Sequence, residues 1–191
     1  MRRLTAPLLS ALVLLALPAA THAQMAAATP AAAAPAAPEV GQPAPEFSAA
    51  WADGSGARAT PVTLGSLRGK VVVVAFYPKD RTSGCTAEMT KFRDEHATLF
   101  GKDVVVLPVS ADSIASHVSW ASEMKFPFAL VSDPQLAMAD AYGSRTPGRS
   151  TANRTLFVIG KDGRIAYREM KFNALNEESY TALASAVAKA R

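Results

Sequence analysis

The chain has 191 residues, 49% hydrophobic and 19% charged, with 13 prolines, 11 glycines and one cysteine, a balance that excludes a disordered polyelectrolyte and a collagenous repeat. One cysteine excludes an internal disulfide and every multi-cysteine zinc site. A formal net charge of +4, part of it from Arg2-Arg3, is too small to argue for nucleic acid as a partner.

The start reads Met1-Arg2-Arg3, then an apolar stretch from Leu8 to Leu17 broken only by Ser10, then Thr21-His22-Ala23 before Gln24. A basic start, an apolar core and a small-x-Ala site form a secretory signal peptide over residues 1–23. The apolar core is about half the ~20 residues of a membrane span. The expectation is an exported protein with no membrane anchor after cleavage, in an oxidising compartment such as a bacterial periplasm. Residues 24–38 are mostly Ala and Pro, which can neither build a core nor run as one helix, so they read as a tether. The folded domain is expected over residues 39–191, and about 150 residues bury roughly 70% of their unfolded surface without metal or disulfide staples.

Val71 to Tyr77 is a continuous β-branched and aromatic run, the mark of a central strand buried on both faces. Ser83 to Phe100 carries Met89, Phe92, His96 and Leu99 at helical spacing. Val104 to Val109 reads as another buried strand, Ser113 to Met124 as a helix opened by a serine cap, and Phe128 to Val131 as a short strand. Asp133-Pro134 predicts a helix with proline at its first position, running to about Tyr142. Thr155 to Ile159 and Arg164 to Glu169 flank Gly160-Lys161-Asp162-Gly163, which makes them a hairpin. Asn176 caps a last helix. The order predicts a single α/β domain, a mixed sheet with helices on both faces.

The stretch from Tyr77 to Glu88 puts the only cysteine, Cys85, in the first turn of a helix that follows a central strand, at the end where ligands bind in open α/β sheets. Helix-start N–H groups and the helix dipole favour a thiolate, the nucleophilic form of cysteine. An inert structural cysteine would sit within a strand or on a helix's apolar stripe, whereas Cys85 sits beside Gly84 in a polar loop. Thr82, three residues earlier, can cap the helix or face a ligand over the sulfur. Pro78 ends the strand with a rigid ring that can wall a pocket.

Pro78, Thr82 and Cys85 form the pattern Pro-x-x-x-Thr-x-x-Cys, and FYPKDRTSGCTAE resembles the active-site loop of peroxiredoxins, most closely the bacterioferritin-comigratory-protein (Q-type) branch. The resemblance runs from GQPAPEFSA through LRGKVVVVAFYP to RTLFVIGKDGRI, and implies a thioredoxin-like fold. It also implies that Arg154, on a late strand, completes the site. Two positions depart from the pattern: Ser83 stands where the family often has Pro, and Thr90 stands where many members of the branch carry a resolving cysteine. With no second cysteine, the resemblance implies an enzyme that is resolved by an external thiol or a thioredoxin-like partner.

The implied reaction is reduction of hydrogen peroxide or an organic hydroperoxide through a Cys85 sulfenic acid, with no cofactor. Arg154 would supply a cation, Thr82 a hydrogen bond to the peroxide, and Pro78 shielding from water. Glu88, one helical turn beyond Cys85, either orients an arginine or is a solvated carboxylate. A copper site with His96 and His117 fails on spacing, since Cys85 to His96 spans roughly 16 Å of helix rise. Both histidines read as surface or half-buried. A thiol-disulfide oxidoreductase would need Cys-x-x-Cys, and the first of those positions is Thr82. A non-catalytic binding module is the remaining alternative.

Overall fold

The computed structural model describes residues 36–191; the signal peptide expected over residues 1–23 and the tether expected from residue 24 lie outside them as far as residue 35. Ala37 and Pro38, which composition assigns to the tether, pack onto the domain instead. Pro38 is buried, and the Arg168 guanidinium donates to the carbonyls of Ala37 at 3.4 Å and Pro38 at 3.3 Å. Contact with the domain therefore extends at least two residues before Glu39.

In chain order the elements are β1 (Ser48–Asp53), β2 (Gly56–Ala57), β3 (Val62–Thr63), β4 (Val71–Phe76), α1 (Ser83–Asp94), α2 (His96–Leu99), β5 (Val104–Ser110), α3 (Ile114–Met124), β6 (Leu130–Ser132), α4 (Ala137–Ala141), β7 (Thr155–Ile159), β8 (Ile165–Glu169) and α5 (Glu177–Ala190). The sheet runs β2-β1-β6-β5-β4-β7-β8, with β3 paired to β1. Strands β4, β5 and β6 are parallel, while β1 and β7 join them antiparallel.

All six residues of β4 are buried, and its alternation divides them between two cores. Val71, Val73, Ala75 and the following Tyr77 join residues of α1, α3 and α5. Val72, Val74 and Phe76 face the other way, with Leu136, Met138 and Ala139 around α4. Helices on both faces of a mixed sheet are thus what the run of valines requires. Pro108 sits inside β5 although proline cannot donate to a ladder. Its nitrogen faces the β6 side, where pairing begins only at Val109 and Ser110, so no sheet hydrogen bond is lost.

Three strands precede the first one expected. β1 is Ser-Ala-Ala-Trp-Ala-Asp, mostly exposed or half-buried, and lacks the β-branched residues that mark a strand. Its pairing to β6 at Ala50, Trp51 and Ala52 is a tertiary contact, invisible in local pattern. The helix expected from Ser83 to Phe100 breaks at Glu95 (φ −105°, ψ 21°). The break turns Leu99 and Phe100 into the core, where Phe100 meets Phe92 edge to face at 5.2 Å. The helix expected from Asp133 is only α4, because the Asp133 carboxylate accepts from the Ala139 N–H at 2.8 Å and Leu136 adopts a left-handed conformation (φ 58°). Pro134 lies in that turn rather than in the helix. The two side-chain caps stand as expected: Ser113 accepts from Ser116 N–H and Asn176 from Glu178 N–H.

Candidate active site

β4 ends in the central parallel layer, and Tyr77-Pro78 leads out of it into the loop that opens α1. Thr82 is the residue before the helix, in extended conformation (ψ 148°), and its carbonyl accepts the first helical hydrogen bond, from Thr86 N–H at 2.8 Å. Its hydroxyl does not cap; it donates to the Lys79 carbonyl at 3.0 Å. The lone pairs on Thr82 Oγ1 are therefore left to accept from a ligand, and of the two roles open to this threonine the capping one falls away.

Cys85 is the third residue of α1 and has no exposed surface. The sequence places it in a polar loop, off any apolar stripe, yet Cys85 packs into the core with Tyr77, Met89 and Phe92, in line with the last two at i+4 and i+7 of α1. The cation beside it, and not its place on the helix, therefore sets it apart from an inert cysteine. Arg154, immediately before β7, reaches it from the neighbouring strand: Nη2 lies 3.4 Å from Cys85 Sγ, and Nη1 forms an ion pair with Glu88 Oε2. One guanidinium thus bridges a sulfur and a carboxylate on successive turns of α1. Gly84 makes room for it, since a Cβ there would stand 3.2 Å from Arg154 Nη2.

Glu88 is not a solvated carboxylate but a buried one, 1% exposed. Burial pushes its carboxyl up from 4.5 to about 7, with Arg154 pulling the other way. For Arg154, burial weakens the hold on the proton, but Glu88 and the Cys85 sulfur outweigh it and raise the value. Folded protein holds the Glu88 proton more tightly than the unfolded chain does, so the associated stability is full below pH 4.5 and is lost as pH rises to about 7. That loss amounts to about 3 kcal/mol. Glu88→Gln is expected to remove this dependence, and denaturant unfolding of both proteins across that window measures it. Parallel curves would mean that Glu88 ionises as freely in the folded protein as in the unfolded chain.

His117 departs furthest from expectation. It is neither at the surface nor half-buried: the ring is fully buried, 3.0 Å from Asp80 Oδ2 and 3.2 Å from the Val131 carbonyl. His96 is half-buried as expected, stacked on Phe128 at 6.2 Å. Arg145, in the loop between α4 and β7, is paired with Asp140.

Beside Gly84 and Arg154 opens a cavity of about 700 Å³ whose lining includes Met170, Lys171, Phe172 and Leu175. A buried sulfur at a helix start, a cation on it and an adjoining cavity form an arrangement able to attack a small electrophile and stabilise its leaving group.

A family model described as AhpC/TSA matches residues 40–168. The chain is 34% identical over 133 residues to the peroxiredoxin Bcp of Bacillus subtilis, covering 66% of this chain and 82% of that one. Its fold is similar to that of a cysteine-to-serine mutant of Xylella fastidiosa PrxQ, with a TM-score of 0.69 and 25% identity over 82% of this chain and all of that one. It is also similar to the Xanthomonas campestris bacterioferritin comigratory protein, whose structure is described as giving insight into alkyl peroxide reduction. There the TM-score is 0.63, with 27% identity over 76% of this chain and 92% of that one.

Proposed function

The chain belongs to the AhpC/TSA family, and from that premise we propose that Cys85 is the sulfur with which this thiol-dependent peroxidase reduces hydrogen peroxide and organic hydroperoxides. The observation that carries the assignment is the Arg154 guanidinium, shared between the buried Cys85 sulfur and the buried Glu88 carboxylate.

The Cys85 thiolate attacks the terminal oxygen of the hydroperoxide in line with the O–O bond. The S–O bond forms as the O–O bond breaks, giving sulfenic acid and an alkoxide or hydroxide that takes a proton from water. Negative charge moves from sulfur to the leaving oxygen, and Arg154, already in place, is close enough to follow it. Thr82 Oγ1, whose O–H donates to the Lys79 carbonyl, accepts from the hydroperoxide O–H. Pro78 contributes no N–H and walls the loop against water. An external thiol, free or on a thioredoxin-like protein, then attacks the sulfenic sulfur and expels water; a second thiol releases Cys85. The Arg2-Arg3 start, apolar core and Ala23 site support an exported, periplasmic address. Among the described residues no helix is long and apolar enough to cross a membrane.

One experiment tests the assignment and the absence of a resolving thiol together. After one equivalent of peroxide, mass spectrometry is expected to show a Cys85 sulfenic-acid adduct in the wild type, and a two-hydrogen loss in Thr90→Cys. Five residues along a helix separate the two Cα atoms by ~8.6 Å, beyond the ~7 Å limit of a disulfide. α1 must therefore unwind at its start. Cys85, Glu88 and Met89 are buried there, so closure is expected to be slower than sulfenic acid formation. A wild type left unmodified by peroxide would overturn the assignment of Cys85.

A further inference from the structure

Of the loop residues from Lys79 to Ser83, Asp80 alone is buried. The others are exposed, and Arg81 is held at φ 61°, a conformation that residues with side chains rarely adopt. Nothing apolar anchors this stretch, so its shape depends on what holds Asp80. Three donors converge on that carboxylate: the Tyr77 hydroxyl at 2.7 Å, the Ser116 hydroxyl at 2.6 Å and the His117 Nδ1 at 3.0 Å. The Asp80 N–H in turn donates to Asp112 at 2.8 Å. Arg81 reaches Ser119 and Glu123 on the same helix, α3.

His117 ties this cluster to the sheet. Its Nε2 faces the Val131 carbonyl of β6, an acceptor only, while Nδ1 faces the Asp80 carboxylate. Each ring nitrogen thus faces an acceptor, one on the loop and one on the sheet. Burial opposes the Asp80 charge, but the bonds from His117, Ser116 and Tyr77 outweigh it and hold the carboxyl below its usual range. The Tyr77 hydroxyl, pushed well up by burial and then by Asp80, stays protonated and keeps donating.

We propose that His117 is a positioning residue: through Asp80 it locks the loop that carries Pro78 and Thr82 onto α3 and β6, and so keeps that loop closed against Cys85 in its reactive shape. The inference rests on the reading that this loop forms the peroxide site. His117 touches no reacting atom; it acts through Asp80, two residues from each of Pro78 and Thr82.

Two rates test it, taken at matched circular dichroism and below the unfolding transition of every variant. One is oxidation of Cys85 by peroxide, which needs the loop in place. The other is alkylation of Cys85 by iodoacetamide, which needs the loop to open because the residue has no exposed surface. In His117→Leu, which fills the space without donors, oxidation is expected to fall about tenfold and alkylation to rise about tenfold, the effect of losing a charge-assisted hydrogen bond. In His117→Gln, which can still donate to Asp80, both rates are expected to stay within about threefold of the wild type. Ser116→Ala, a milder loss at the same carboxylate, is expected between them, and it decides the matter if His117→Leu does not fold. A purely structural histidine would lower the unfolding temperature and leave both rates alone. That result, equal defects in the Gln and Leu variants, or two rates moving in the same direction would overturn the lock. If the wild type does not react with peroxide, the functional reading fails, while alkylation still decides whether His117 closes the loop.

Discussion

In Cys85→Ser, peroxide consumption is expected to fall to the background of the buffer, a loss of at least about a thousandfold. Serine places oxygen where sulfur was with little change of volume in a site that has no exposed surface, so the core around Tyr77, Met89 and Phe92 keeps its packing. A serine hydroxyl is not ionised near neutral pH and is not oxidised by peroxide. Arg154 would lose its sulfur partner but keep Glu88, which leaves the cation in place and isolates the effect of the nucleophile. Peroxide loss at matched circular dichroism measures it. Turnover retained in the variant would sink the peroxidase mechanism, since the chain has no second cysteine.

Arg154→Gln is expected to slow Cys85 oxidation by roughly 10²–10³-fold, the usual effect of removing one preorganised donor to a developing charge. The glutamine amide can still reach toward Glu88, but it carries no charge for the sulfur or the leaving oxygen. A second consequence separates this variant from a simple loss of shape. Glu88 would remain buried without the cation that now offsets its desolvation, so its carboxyl would be pushed further up from about 7. The variant should therefore lose stability as pH rises through and above neutrality, and the double variant with Glu88→Gln should recover that stability without recovering the rate. Stopped-flow oxidation and denaturant unfolding, each against pH, read the two effects. Oxidation at the wild-type rate in Arg154→Gln would mean that the cation does no electrostatic work at the sulfur.

Features encoded within a few residues are legible in the sequence. The run Val71 to Tyr77 announces a strand buried on both faces, and Cys85 at the start of the helix that follows marks the loop, while the family resemblance adds Pro78 and Thr82 to it. Arg154 comes through the family resemblance, and the structure places its guanidinium on the sulfur. Glu88 is half-legible: its helical spacing from Cys85 is local, but whether it meets solvent or an arginine depends on β7, sixty-six residues away. His117 is illegible for the same reason, since its burial comes from Asp80 and Val131, which only the closed sheet brings to it. β1 escapes because an alanine-rich strand has no signature until β6 pairs with it. Where an element owes its existence to a partner distant in the chain, local periodicity does not contain it.

Gly84 has a consequence for how such a site can be explored. Alanine scanning removes atoms and infers importance from what is lost, but at a glycine it adds one, here 3.2 Å from the guanidinium that serves the sulfur. The neighbouring Ser83 is exposed, so a larger side chain there meets solvent. Two adjacent positions thus differ in mutational freedom, one open to solvent and the other crowded by an arginine that precedes β7.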